Sequence, residues 1–120
     1  KIVLCDRYAD STTAYQGAGR GLSMGLLKQL HTIATGGTWP DLTVVIDVPA
    51  EVGLARAAGA RQRDRIEQEA VSFHERVRAG FLSIAAESPD RVKVVDGTRP
   101  VDEVRESIKR LVNPLLERDA

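Results

Sequence analysis

The run Leu42-Thr-Val-Val-Ile-Asp-Val48 constrains the fold more than any other stretch of the chain. Apart from Asp47 it is apolar or β-branched at consecutive rather than alternate positions, so both faces of the strand it forms need covering. Such a strand belongs in a parallel sheet with helices on each side. Pro40-Asp41 punctuates its start, and helical patterning resumes at Pro49 or Ala50, where Pro suits a first turn, and runs towards Gly59. From Ile66 onward, Ala70, Phe73, Val77, Phe81 and Ile84 step by three or four and give one apolar helix face. Arg91 to Gly97, "RVKVVDG", is a further strand, and a closing amphipathic helix follows through Val101, Val104, Ile108, Leu111 and Leu115. Towards the start, Ile2 to Cys5 reads as a short buried strand. Leu26, Leu27, Leu30 and Ile33 mark a helix from Ser23 to about Ala34, closed by Gly36-Gly37. Strands alternating with helices predict one α/β domain over residues 1–120, a parallel sheet flanked by helices.

In sheets of this type, ligands lie beyond the carboxyl ends of the strands. Asp6-Arg7 follows the first expected strand and Asp47 closes the second. Arg7 offers a planar fork of donors suited to phosphate or carboxylate, and Asp6 could hold a hydrated Mg²⁺ or orient the arginine. A structural ion pair at a strand exit fits the dipeptide equally well. Asp10 or Ser11 can cap a helix on which Thr12 and Gln16, and Ser11 and Tyr15, share faces four residues apart. A hydroxyl and an amide on one face can read the edge of a nucleobase. The bland alternative is a capping Ser, solvent-facing Thr and Gln, and a Tyr packed on the core. Gly17, Gly19 and Gly21 weaken or end that helix, with Arg20 exposed in a flexible turn; no strand directly precedes them as in a phosphate-binding loop.

Arg56, Arg61, Arg63 and Arg65 form the densest cationic region, between two helical segments with Gly59 as a hinge. Phosphoryl transfer uses cations delivered by a mobile segment, so a lid over about residues 57–66 fits; so does a solvated turn in which Asp64 and Glu67 pair the arginines. His31 and His74 read as surface or helix-face residues, Cys5 as a small buried hydrophobe, and Trp39 as loop packing.

Composition enters mainly by what it excludes. The formal net charge is +0, so nothing global points to nucleic acid or an acidic membrane surface. One cysteine excludes an internal disulfide framework, and a reducing cytoplasm is the expected setting. No apolar run approaches the roughly 20 residues of a membrane span.

Taken together, these stretches resemble the thymidylate kinase family. "DRYADSTTAYQGAGRG" is similar to that family's Asp-Arg-Tyr/His…Ser…Ala-Tyr-Gln-Gly…Gly-Arg-Gly signature, "PDLTVVIDVPAEVGLARA" to the strand and helix that follow, and "RDRIEQE" to the end of the bacterial lid. "FHERVRAGFLSIAAESPDRVKVVDGTRPVDEV" continues the likeness, which covers essentially the whole chain. The resemblance implies a P-loop-type nucleoside monophosphate kinase fold and transfer of the γ-phosphoryl group of ATP to dTMP with Mg²⁺. It implies that Arg7 holds the dTMP phosphate, that Asp6 acts near metal and phosphates, and that Thr12 and Gln16 face thymine. Ser11 and Tyr15 complete the pocket wall, Arg56 lies along adenine, and Arg61, Arg63 and Arg65 sit in the lid, none singled out as the one that meets the transferring group. Homodimers are common in the family, so a homodimer is expected of the complete protein. No G-x-x-x-x-G-K-[ST] occurs in the 120 residues, and Lys1 is not an initiating Met. The expectation is therefore a carboxyl-terminal part of the enzyme, lacking the P-loop and inactive alone. A non-catalytic nucleotide-binding module and another nucleoside monophosphate kinase are the alternatives.

Overall fold

The computed structural model describes the backbone of residues 1–58 and 65–118 and the side chains of residues 1–57 and 70–118. Its elements run α1 (Ala9–Thr12), a π-helical segment (Thr13–Gly19), α2 (Met24–Thr35), β1 (Thr43–Asp47), α3 (Ala50–Ala58), α4 (Arg65–Glu87), β2 (Val92–Asp96) and α5 (Val101–Arg118). β1 and β2 pair in parallel, from Thr43 opposite Val92 to Asp47 opposite Asp96, with α3 and α4 making the crossover. The α/β class and the parallel sheet flanked by helices are as expected.

Each element has a local cause. β1 occupies the apolar run from Leu42 to Val48, and Gly97 N–H donates to Asp47 O at 2.8 Å, carrying the ladder one residue past β2. The Ser23 hydroxyl caps α2 by accepting from Leu26 N–H, and Gly36 ends it in the left-handed conformation at φ 61°. The core is small. It joins Ala9, Ala14 and Leu27 to Val77 and Ala85 of α4, and Val92 and Val95 of β2 close it below. Gly80 lets α4 approach the π-helical segment, since a Cβ there would lie 2.6 Å from Ala18 Cβ and 3.3 Å from Ala14 Cα.

Several sequence expectations need correction. Ile2 to Cys5 is not a strand: no described strand lies beside it to pair its backbone, and Ile2, Val3 and Leu4 are 76%, 87% and 97% exposed. Cys5 is exposed for the same reason. The covering of β1 is partial, with Ile46 exposed. Neither Asp10 nor Ser11 caps the first helix. Tyr8 stands at its cap position with no side-chain bond to the helix, its hydroxyl donating instead to Thr38 O at 3.1 Å, and Asp10 turns inward to Arg91. The glycines do not end that helix where expected, because buried Gly17 and Gly19 continue it as a π-helix in which Arg20 N–H reaches back to Tyr15 O at 3.1 Å. Gly19 leaves room there for Phe73 and Val77. His31 is buried, not on the surface. Its Nε2 lies 2.8 Å from Thr13 Oγ1, so the buried ring has a hydrogen-bond partner, and that hydroxyl also lies 3.3 Å from Ala9 O. Trp39 packs edge-on to the His31 ring.

Candidate functional site

Arg7 is the one described non-glycine residue with positive φ, at 64°. A side chain in that region costs roughly 1–2 kcal/mol, so something must hold it. The guanidinium lies over the Tyr15 ring, its Cζ 4.6 Å from the centroid. A contact with an aromatic ring pairs the charge with no oxygen acceptor, so the N–H donors of the group remain available to an anion. Among the described residues no carboxylate pairs with it. Tyr15 is itself fixed: its ring meets Phe73 at 6.1 Å and Phe81 at 6.3 Å, both on α4.

Tyr15 also lines a cleft of about 300 Å³, together with Asp47, Ala50, His74, Arg78 and Phe81. It lies at the carboxyl end of β1, where the sheet's ligands are expected. Asp47 does not face it unpartnered. Arg78 of α4 grips it with Nε–Oδ1 at 2.8 Å and Nη2–Oδ2 at 3.1 Å, and this carboxylate raises the already high pKa of the guanidinium. Glu75, one helical turn before Arg78, accepts from Ala50 N–H at 2.8 Å and sits 3.7 Å from Arg78. Asp96, in register with Asp47 on the neighbouring strand, is turned to its own partners. The Thr98 hydroxyl first, then the Thr98 N–H and the Arg99 charge, hold its carboxyl below the ordinary range.

The expected site residues are only partly brought together. Arg7 and Tyr15 are brought together. Ser11, Thr12 and Gln16 share the helical stretch that carries Tyr15, half-buried, exposed and half-buried respectively, and none lines the cleft. Arg56 has a partner of its own, its Nη1 donating to Gly97 O at 3.0 Å beyond β2. Arg61 and Arg63 lie outside the described residues; Arg65 opens α4, its side chain likewise outside them. Asp6 is exposed. Sequence reasoning missed the grip of Arg78 and Glu75 on the ends of β1 and α3. The available signal was Asp47, the one charged residue in an apolar strand.

The sequence profile of the family described as Thymidylate kinase matches residues 1–108. The chain belongs to the thymidylate kinase family. It is 53% identical over 118 residues to a thymidylate kinase of Thermomicrobium roseum, covering 98% of this chain and 56% of that protein. Against one from Deinococcus radiodurans it is 56% identical over 108 residues, 90% of this chain and 52% of that one. Against one from Trichormus variabilis it is 50% identical over 118 residues, 98% and 56%. The chain therefore spans about half the length of the curated relatives it matches. No described helix is long and apolar enough to cross a membrane.

Proposed function

We propose that this chain forms the acceptor-nucleotide side of an enzyme that transfers the γ-phosphoryl group of ATP to dTMP, giving dTDP. The carrying observation is Arg7, a guanidinium over the Tyr15 ring with which no carboxylate pairs among the described residues. In this reading Arg7 grips the dTMP phosphate bidentately and holds its oxygen in line with the γ-phosphorus of ATP, which loses its bond to the ADP oxygen as the new bond forms. Thr12 and Gln16 face thymine, Ser11 and Tyr15 complete the wall of the nucleotide pocket, and Arg56 lies along adenine. Arg61, Arg63 and Arg65 belong to a lid whose cations offset charge on the moving group.

The fit to Mg²⁺ rests on Asp6. Among the described residues no three His, Cys, Asp or Glu come together, but this ion keeps most of its water and takes few protein carboxylates. Exposed Asp6 suits a contact through water, and the bound ion would neutralise phosphate oxygens.

No G-x-x-x-x-G-K-[ST] lies in the 120 residues, so in this reading the grip on the ATP phosphates comes from residues other than these. The same fact favours a second reading, a nucleotide-binding module without catalysis. A coupled ATP-to-dTMP assay separates them: turnover by the complete gene product and none by these 120 residues supports the kinase, whereas a complete product that binds dTMP without turnover supports the module. A homodimer is supported by the exposed stripe Leu26, Leu30 and Ile33 on α2, and a cytoplasmic setting by the exposed lone thiol of Cys5.

A further inference from the structure

α3 begins without a cap of its own. Its first described turn bond runs from Gly53 N–H to Pro49 O, so Pro49 stands at the cap position with no side-chain acceptor. The missing acceptor comes from another helix: Glu75 of α4 takes the Ala50 N–H at 2.8 Å. Ala50 is buried, so water does not readily replace that bond. Arg78 lies 3.7 Å from Glu75 while gripping Asp47, which aims the carboxylate at the helix start and ties both to the end of β1. At the far end of α3, Arg56 reaches Gly97 O at 3.0 Å. The helix is thus held at two points, one of them supplied by α4.

We propose that Glu75 is a positioning residue. By capping α3 from α4 it sets the helix that carries Arg56, and so tunes affinity on the ATP side without touching nucleotide. This rests on the assignment of Arg56 to adenine made above. It predicts an asymmetry that general loosening of the fold would not produce.

The test is steady-state kinetics on the complete gene product with Glu75→Ala, Glu75→Gln, Arg56→Ala and the Glu75→Ala/Arg56→Ala double variant. Glu75→Ala should raise KM for ATP roughly fivefold, the equivalent of one lost cap, and leave KM for dTMP unchanged. Glu75→Gln keeps an oxygen for the Ala50 N–H and should restore KM for ATP. The double variant should be no worse than Arg56→Ala, because one effect acts through the other. Equal rises for both substrates, additive losses, or a glutamine variant as impaired as alanine would each overturn the inference. Should Glu75→Ala not fold, Glu75→Asp, one methylene shorter, carries the same expected split. If Arg56→Ala leaves KM for ATP unchanged while Arg7→Ala still raises that for dTMP, the assignment of Arg56 fails and this inference with it, but the acceptor-site reading stands.

Discussion

Two charged regions, the turn at Arg7 and the ends of the sheet, are built on opposite principles. In the first, Arg7 sits at φ 64° with its charge answered by an aromatic face and no described carboxylate. In the second, every charge named at the sheet ends is matched: Asp47 by Arg78, Asp96 by Thr98 and Arg99, and Asp10 by Arg91 through contacts of 2.7 and 3.1 Å. Arg91 also stacks on Trp39, 5.1 Å from its centroid. A matched pair supports structure and has little left to offer a ligand. A guanidinium kept in an unfavourable backbone conformation with free donors is costly for folding and suited to binding.

The contrast can be broken from either side. The largest stability effect should come from Arg91→Ala, which strands the Asp10 carboxylate, 7% exposed, without its partner. Removing one member of a buried pair costs about 3 kcal/mol or more, read as a shift in the urea midpoint of the complete gene product; a loss under about 1 kcal/mol would mean that Asp10 is solvated. Gly80→Ala should follow, at about 2 kcal/mol. The new Cβ meets Ala18 and the Ala14 backbone, and neither is the flexible end of a side chain. Arg7→Gly should behave differently from both. Glycine accepts the left-handed conformation, and that gain roughly offsets the lost stacking and the freer unfolded chain, leaving stability within about 1 kcal/mol. Its dTMP affinity should nevertheless collapse. A large loss of stability in Arg7→Gly would show that the arginine is structural.

The smallest effect concerns acid. The folded Asp96 carboxyl is held below its ordinary value, first by the Thr98 hydroxyl. Its contribution is therefore fully present above the unfolded carboxylate pKa of about 4 and fades as pH falls through the lower folded value. Thr98→Ala should lower stability slightly at neutral pH and flatten the acid limb, so that its curve converges on that of the native protein once pH has fallen below the folded value.

Much of the fold was legible because period and composition agree. The apolar run at 42–48, the three-four stepping of Phe73, Val77 and Phe81, and the Ser23 and Gly36 caps each name their element locally. What was not legible depends on distant neighbours. Ile2 to Leu4 has strand composition, but a strand exists only where another lies beside it. Asp10 looks like a helix cap until Arg91, 81 residues away, claims it. Gly17 and Gly19 look like helix breakers, yet α2 and α4 pack side chains into the space they leave, and the backbone stays helical in its wider form. Among the candidate residues, the Asp6-Arg7 pair singled out Arg7 although the strand expected before it does not form. Its aromatic platform and the capping of α3 by Glu75 were not, since both depend on how α4 crosses the chain.

The most direct measurement is calorimetric titration of the complete gene product with dTMP and with thymidine, which lacks the phosphate. If the Arg7 edge grips that phosphate, the native protein prefers dTMP by roughly 100-fold, about 3 kcal/mol for a charge-assisted contact, and Arg7→Ala binds the two ligands alike. A preference for dTMP that survives intact in Arg7→Ala would place the phosphate elsewhere and contradict the account.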